Sequence, residues 1–242
     1  MTRIDALVLT CEHGGNRVPA AYRHLFASRE RLLRSHRAFD AGALDLARFL
    51  AQRTQAPLLA STTTRLLVDC NRSPTNPRAF SEITRVLGPD ARHELLDSLH
   101  VPHWSLVEQA LLGRVHRYRT VLHVAVHSFT PVLRGVRRAC DVGLLYNPKR
   151  RHERLFCATW RSHLHVASPH LRVRRNYPYR GSDDGLTTAM RRRFAANRYL
   201  GIELEINQRW WNQGDRDAWR GLRRHVLDTL RATIESRGLA RA

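Results

Sequence analysis

Apolar and polar positions along this chain repeat with two alternating periods. From Ala6 to Cys11 the residues are apolar almost without interruption, as a strand buried on both faces should be, and Ile4 marks its expected start. From Ala41, AGALDLARFLAQRT brings Leu44, Ala47, Phe49 and Leu50 to helical spacings. Pro57 then opens a short strand through Leu58 and Leu59, and Arg65 to Asp69 predicts another, closed by the polar, proline-bearing loop NRSPTNPRAF. Residues 90–116 read as helix with a break at Pro102. TVLHVAVHSF and DVGLLYN predict two strands separated by a basic loop. Helices are expected over 151–165, 185–196 and 215–236, with strands at 171–175 and in YLGIELEINQ. Strands alternating with helices predict an α/β fold in which a mainly parallel sheet is covered by helices. No repeat, low-complexity tract or linker divides the chain, so one domain over residues 1–242 is the economical expectation.

Composition narrows the class of protein. A hydrophobic share of 43% in 242 residues can bury a full core without disulfide or metal staples. No apolar run is long enough to cross a bilayer and no signal-like leader opens the chain, so a soluble, cytoplasmic protein is expected. Cys11, Cys70, Cys140 and Cys157 are scattered, form no C-x-x-C pair, and are expected to be reduced and mostly buried. The formal charge of +20 invites a nucleic-acid reading. The arginines are spread through nearly every segment, however, and the clusters at 149–151, 172–175 and 191–193 carry no interleaved stacking aromatics. A solvated basic surface favouring small anionic substrates is the better expectation, with nucleic acid disfavoured as a partner.

The chemistry gathers where strands end, which is where ligands collect in open α/β sheets. Glu12 and His13 follow the first strand; Asp69, Asn71 and Arg72 follow the strand expected at RLLVD. His127 and Ser128 close VLHVAV, and Glu203 and Glu205 lie in the last strand. Two histidines and a carboxylate would suit zinc, which takes imidazole nitrogen and carboxylate oxygen. Ordinary explanations stand beside this one. A strand histidine is commonly a hydrogen-bonded core residue, Asn71 and Arg72 can cap a loop, and Glu203 and Glu205 share one face that can be solvent. Gly14 and Gly15 permit a sharp turn and close backbone approach, leaving His13 at the mouth of the sheet.

Seven segments in order, CEHGGNRVP, FDAGALDLARFLA, LLVDCNRSP, AVHSFTP, DVGLLYN, NYPYRGSDDGLT and GIELEINQ, resemble the N-formylglutamate amidohydrolase family over most of the chain. That family is related in fold to zinc-dependent exopeptidases and aspartoacylase-like deacylases, which implies a central mixed sheet between helices. The resemblance implies that Asn71 and Arg72, in the D-x-N-R pattern, bind the substrate's carboxylate and polarise its carbonyl. It also implies that His127 is a metal ligand and Glu205 the general acid/base. One departure stands out: His13 is followed by Gly14, Gly15 and Asn16 instead of the H-x-x-E of the exopeptidases. The carboxylate ligand must come from elsewhere, and Asp40 in FDAG is the first candidate, Glu12 the second. Asn176, Tyr179 and Gly181 are expected to line the substrate pocket on the resemblance alone.

The resulting expectation is a zinc amidohydrolase, with His13, His127 and Asp40 (or Glu12) as metal ligands and Glu205 and Arg72 as catalytic groups. Its substrate would be N-formyl-L-glutamate, split to formate and glutamate in histidine breakdown. A deacylase of another N-acyl amino acid or small amide, and a basic nucleic-acid-binding protein, are the alternatives.

Overall fold

The computed structural model describes residues 3–236. Its frame is a six-stranded sheet in the order β2-β1-β3-β8-β6-β7. The strands are β1 (Ala6–Cys11), β2 (Leu58–Ala60), β3 (Val121–Phe129), β6 (Val142–Leu145), β7 (Val173–Arg175) and β8 (Tyr199–Asn207), while β4 (Val132–Leu133) and β5 (Val136–Arg137) form a separate hairpin in the basic loop. All neighbours pair in parallel except β6 and β8, which run antiparallel. The helices are α1 (Glu30–Leu33), α2 (Ala43–Thr54), α3 (Pro89–Leu95), α4 (Val101–Arg117), α5 (Arg151–Ala167), α6 (Leu186–Arg193), α7 (Arg209–Asn212) and α8 (Arg216–Ser236). No helix among the described residues is long and apolar enough to cross a membrane.

Alternation along the central strands decides what each face receives. Leu122, Val124 and Val126 of β3 and Leu200, Ile202, Leu204 and Ile206 of β8 point to one side, where they pack with Leu46 and Leu50 of α2, Trp160 of α5 and Val226 of α8. Val8, Val121 and Tyr199 point to the other and meet Val107 and Leu111 of α4 and Leu186 and Met190 of α6. Covered on both sides, every residue of β3 and β8 is buried, Glu203 and Glu205 included, so their shared face is interior and not solvent.

Two segments differ from the sequence expectation. Residues 65–69 form no strand: Leu67 N–H bonds back to Thr64 O in a turn, and the carbonyls of Leu66 and Leu67 accept from the hydroxyls of Ser81 and Thr84. Leu66 and Leu67 are buried against Phe26, Ala38, Ile83 and Leu95 in a third core cluster, so their apolar character serves a packed loop. An apolar run of that length reads the same in either setting. In the long helical stretch the irregularity is a π-turn at Leu96–His100, just ahead of Pro102, which sits in the first turn of α4 where its missing N–H is harmless.

Candidate active site

Three parallel strands deliver their carboxyl ends to one place. His13 lies two residues past β1, His127 lies in β3, and in the register of β3 with β8 His127 stands opposite Glu205. The turn after β1 is held by backbone contact with residues 61–64: Gly14 N–H bonds to Ser61 O and Arg17 N–H to Thr62 O. A Cβ on Gly15 would lie 2.5 Å from Thr62 O, so this turn requires glycine for closeness of approach. Asp40 enters just before α2, its N–H bonded to His13 O.

The Oδ2 of Asp40 lies 3.0 Å from His127 Nδ1 and 3.4 Å from His13 Nδ1. The ring centroids are 5.1 Å apart, and one donor atom from each of His13, Asp40 and His127 falls within 4.8 Å of the others. Tetrahedral zinc with bonds of about 2.0–2.2 Å spaces its ligand atoms about 3.3 Å apart, so this donor set fits such an ion in type and nearly in spacing. Glu12 does not join the set. It lies on the other side of the His127 ring, with Oε2 3.0 Å from Nε2. The turn that follows β1 leaves Glu12 on the α4 side, near His103.

Both rings are also held at their far nitrogens. His13 Nε2 donates to Asp69 Oδ1 at 2.7 Å, while its Nδ1 lies 3.0 Å from an Arg65 guanidinium nitrogen. Burial pushes both histidines toward the neutral form; Asp69 and Asp40 around His13, and Asp40 and Glu12 around His127, outweigh it and raise both rings. Burial works equally against ionised Asp40, Asp69 and Glu12. Arg65 and His13 overcome it at Asp40, His13 and Arg65 at Asp69, and His103 and His127 at Glu12, leaving all three below the usual carboxylate range.

Glu205 is the exception among these acids. Burial pushes it up to about 8, with Asp40 and Glu203 adding to the rise and His127 opposing it. Its Oε2 is buried without a hydrogen-bond partner among the described residues. It lines a cavity of about 150 Å³ together with His13, Asp40, His127, Asn71, Arg72, Arg65 and Tyr179. Arg72 donates to the carbonyl of Asp184, and Asn71 takes the N–H of Leu186 on its amide oxygen, so the loop carrying them is tied to the start of α6.

The remaining expected pocket residues divide. Tyr179 reaches the cavity and receives a hydrogen bond from Arg138 at 3.0 Å. Asn176 and Gly181 do not line it. Asn176, at a φ of 50° that asparagine tolerates, uses its side-chain oxygen to bind the N–H groups of Tyr146 and Gly181. Gly181 packs against the backbone at Tyr146. They hold the 176–181 segment across β6, where Gly143, opposite Glu205, has no side chain and a Cβ would meet Tyr177 O at 2.3 Å. Sequence reasoning gave no role to Arg65, Arg180 or Glu203, which also line the cavity. With arginine spread through the whole chain, nothing local marks Arg65; the acid of the DCNR segment was the available clue to the His13 partner.

Comparison with known proteins adds an independent line. Residues 5–211 match the family model of N-formylglutamate amidohydrolase. A solved gene product of Agrobacterium tumefaciens is 28% identical, with a TM-score of 0.81 over 95% of this chain and 90% of that one. A solved N-formylglutamate amidohydrolase of Ralstonia eutropha JMP134, 19% identical, superposes with a TM-score of 0.72 over 98% of this chain and 96% of that one, a likeness of fold. No curated protein sequence matches the chain.

Proposed function

The chain belongs to the N-formylglutamate amidohydrolase family, and on that premise we propose that it is a metal-dependent enzyme hydrolysing N-formyl-L-glutamate to formate and L-glutamate. The observation that carries the metal reading is the convergence of two imidazole Nδ1 atoms and Asp40 Oδ2 beside a buried glutamate with a free oxygen. His13, His127 and Asp40 would hold the ion; zinc is the first choice by donor type, and other divalent metals accept the same set. When bound, it would supply a Lewis acid for the amide carbonyl and acidify water.

The protein's own groups supply the rest. Glu205, on the cavity wall beside His127, takes a proton from water and returns it to the leaving nitrogen, a role suited to a desolvated carboxyl with a raised pKa. Arg65 reaches both His13 and Asp40 and is placed to steady negative charge on the carbonyl oxygen. Arg72 offers a guanidinium fork for a substrate carboxylate, with Asn71 beside it. The guanidinium groups of Arg65, Arg72 and Arg180 on the cavity wall favour a small anionic substrate.

Elemental analysis of purified protein and a hydrolysis assay on N-formylglutamate, with and without chelator, test the proposal. Activity lost on chelation and restored by zinc is expected; full turnover by protein stripped of divalent metal overturns the metal reading. A panel of acylated amino acids tests the substrate. Turnover of another N-acyl compound with none of the formyl one would favour the deacylase alternative. Tight, steeply salt-dependent nucleic-acid binding indifferent to chelator would favour the binding-protein alternative.

A further inference from the structure

Glu12 is wholly buried, yet among the described residues neither of its carboxylate oxygens has a partner in hydrogen-bond geometry. Its close polar neighbours are two imidazoles: His127 Nε2 at 3.0 Å from Oε2, and His103 Nε2, from α4, at 3.7 Å from Oε1. Keeping a carboxylate in such a place is unfavourable unless it is paired. The apolar packing of β1 against α4 does not need it, since Val8 and Val107 already meet on that side. What the position does provide is an acceptor on the far nitrogen of a ring whose near nitrogen faces Asp40. An imidazole with its proton fixed on Nε2 presents a lone pair on Nδ1. Asp69 is the counterpart at His13, hydrogen-bonded to Nε2 at 2.7 Å, where Glu12 meets His127 Nε2 as a 3.0 Å ionic contact.

We infer that Glu12 is a positioning residue: it keeps the proton on His127 Nε2 and locks the ring so that Nδ1 faces His13 and Asp40. Its functional meaning rests on the metal reading above, but the ring proton can be observed without any metal.

Glu12→Leu removes the acceptor, and Glu12→Gln keeps an acceptor while removing the charge. In metal-free wild-type protein, proton NMR is expected to show the His127 Nε2–H as a downfield, slowly exchanging signal, identified by its absence in His127→Ala. The signal is expected to disappear in Glu12→Leu and persist in Glu12→Gln. Zinc titrated in competition with a chromophoric chelator is expected to bind about 100-fold more weakly to Glu12→Leu and about 10-fold more weakly to Glu12→Gln. An unchanged N–H signal in Glu12→Leu, or zinc affinity within twofold of wild type, overturns the inference. If wild type takes up no zinc while Glu12→Leu still loses the signal, the metal reading fails and the role of Glu12 in setting the ring stands. Should Glu12→Leu not fold, wild-type zinc affinity in Glu12→Gln overturns the inference.

Discussion

The two imidazoles of the cluster face similar sets of carboxylates and are supported differently. Each turns Nδ1 to Asp40 and Nε2 to a second carboxylate, Asp69 for His13 and Glu12 for His127. His127 sits within β3, paired on one side with β8, and its second carboxylate is sealed under α4. His13 sits beyond the end of β1, and Asp69 belongs to a loop held by Asp69 N–H to Ala79 O and by Asn71 N–H to Asp69 Oδ1. One half of the site is fixed by the sheet, the other by a packed loop. Removing a group from the sheet half should damage chemistry with little effect on the fold; removing one from the loop half should damage both.

Four substitutions would break or sharpen that contrast. The largest effect is expected of His127→Ala, which should abolish hydrolysis of N-formylglutamate and zinc retention while leaving the circular dichroism spectrum unchanged. Glu205→Gln comes next: kcat should fall about 10²–10⁴-fold, with zinc content by elemental analysis unchanged. Asp69→Ala should weaken zinc binding about 10–100-fold. Unlike Glu12→Leu, it should also lower the stability of the metal-free protein by about 1–3 kcal/mol in urea titrations, because Asn71 N–H loses its acceptor. Equal stability losses in those two variants would erase the distinction between the halves.

The smallest effect is one of pH. The carboxyl of Glu205 is raised on folding to about 8, so its contribution to stability is present below the unfolded value and is lost as pH rises toward and through 8. Asp40, Asp69 and Glu12 are depressed and act oppositely, contributing above the unfolded carboxylate range and losing that contribution as pH falls. Metal-free Glu205→Gln, which mimics the neutral acid, should therefore match wild type near pH 5 and melt higher at pH 9. A constant difference across that range would show that the carboxyl of Glu205 titrates alike in the folded and unfolded protein, with no upward shift on folding.

The sheet half was the more legible in the sequence. Long apolar strands announced β3 and β8, and their ends carried His127 and Glu205 to one edge. The period-2 pattern even placed Glu203 and Glu205 on a common face, although it takes the covering helices α4 and α6 to make that face interior. The loop half hid itself for a physical reason. Leu66 and Leu67 are buried by a turn whose carbonyls are satisfied by Ser81 and Thr84, and no local pattern reveals partners fifteen or more residues away. Glu12 was visible as an acid next to a histidine, but its side of the ring depends on where α4 docks. Asn176 and Gly181 belong to the resembling segment yet act by shaping the chain, a distinction that spacing does not express.

The bare backbone at Gly143 has a consequence for how this enzyme can change. Residues 176–181 rest on it through main-chain contact and are pinned at their ends by Asn176 and by Arg191, which donates to the carbonyl of Gly181. Tyr179 and Arg180, which line the cavity, take no part in those anchors. Side chains at these two positions can thus be exchanged to reshape the cavity wall while His13, Asp40, His127 and Glu205 beneath stay where the strands put them.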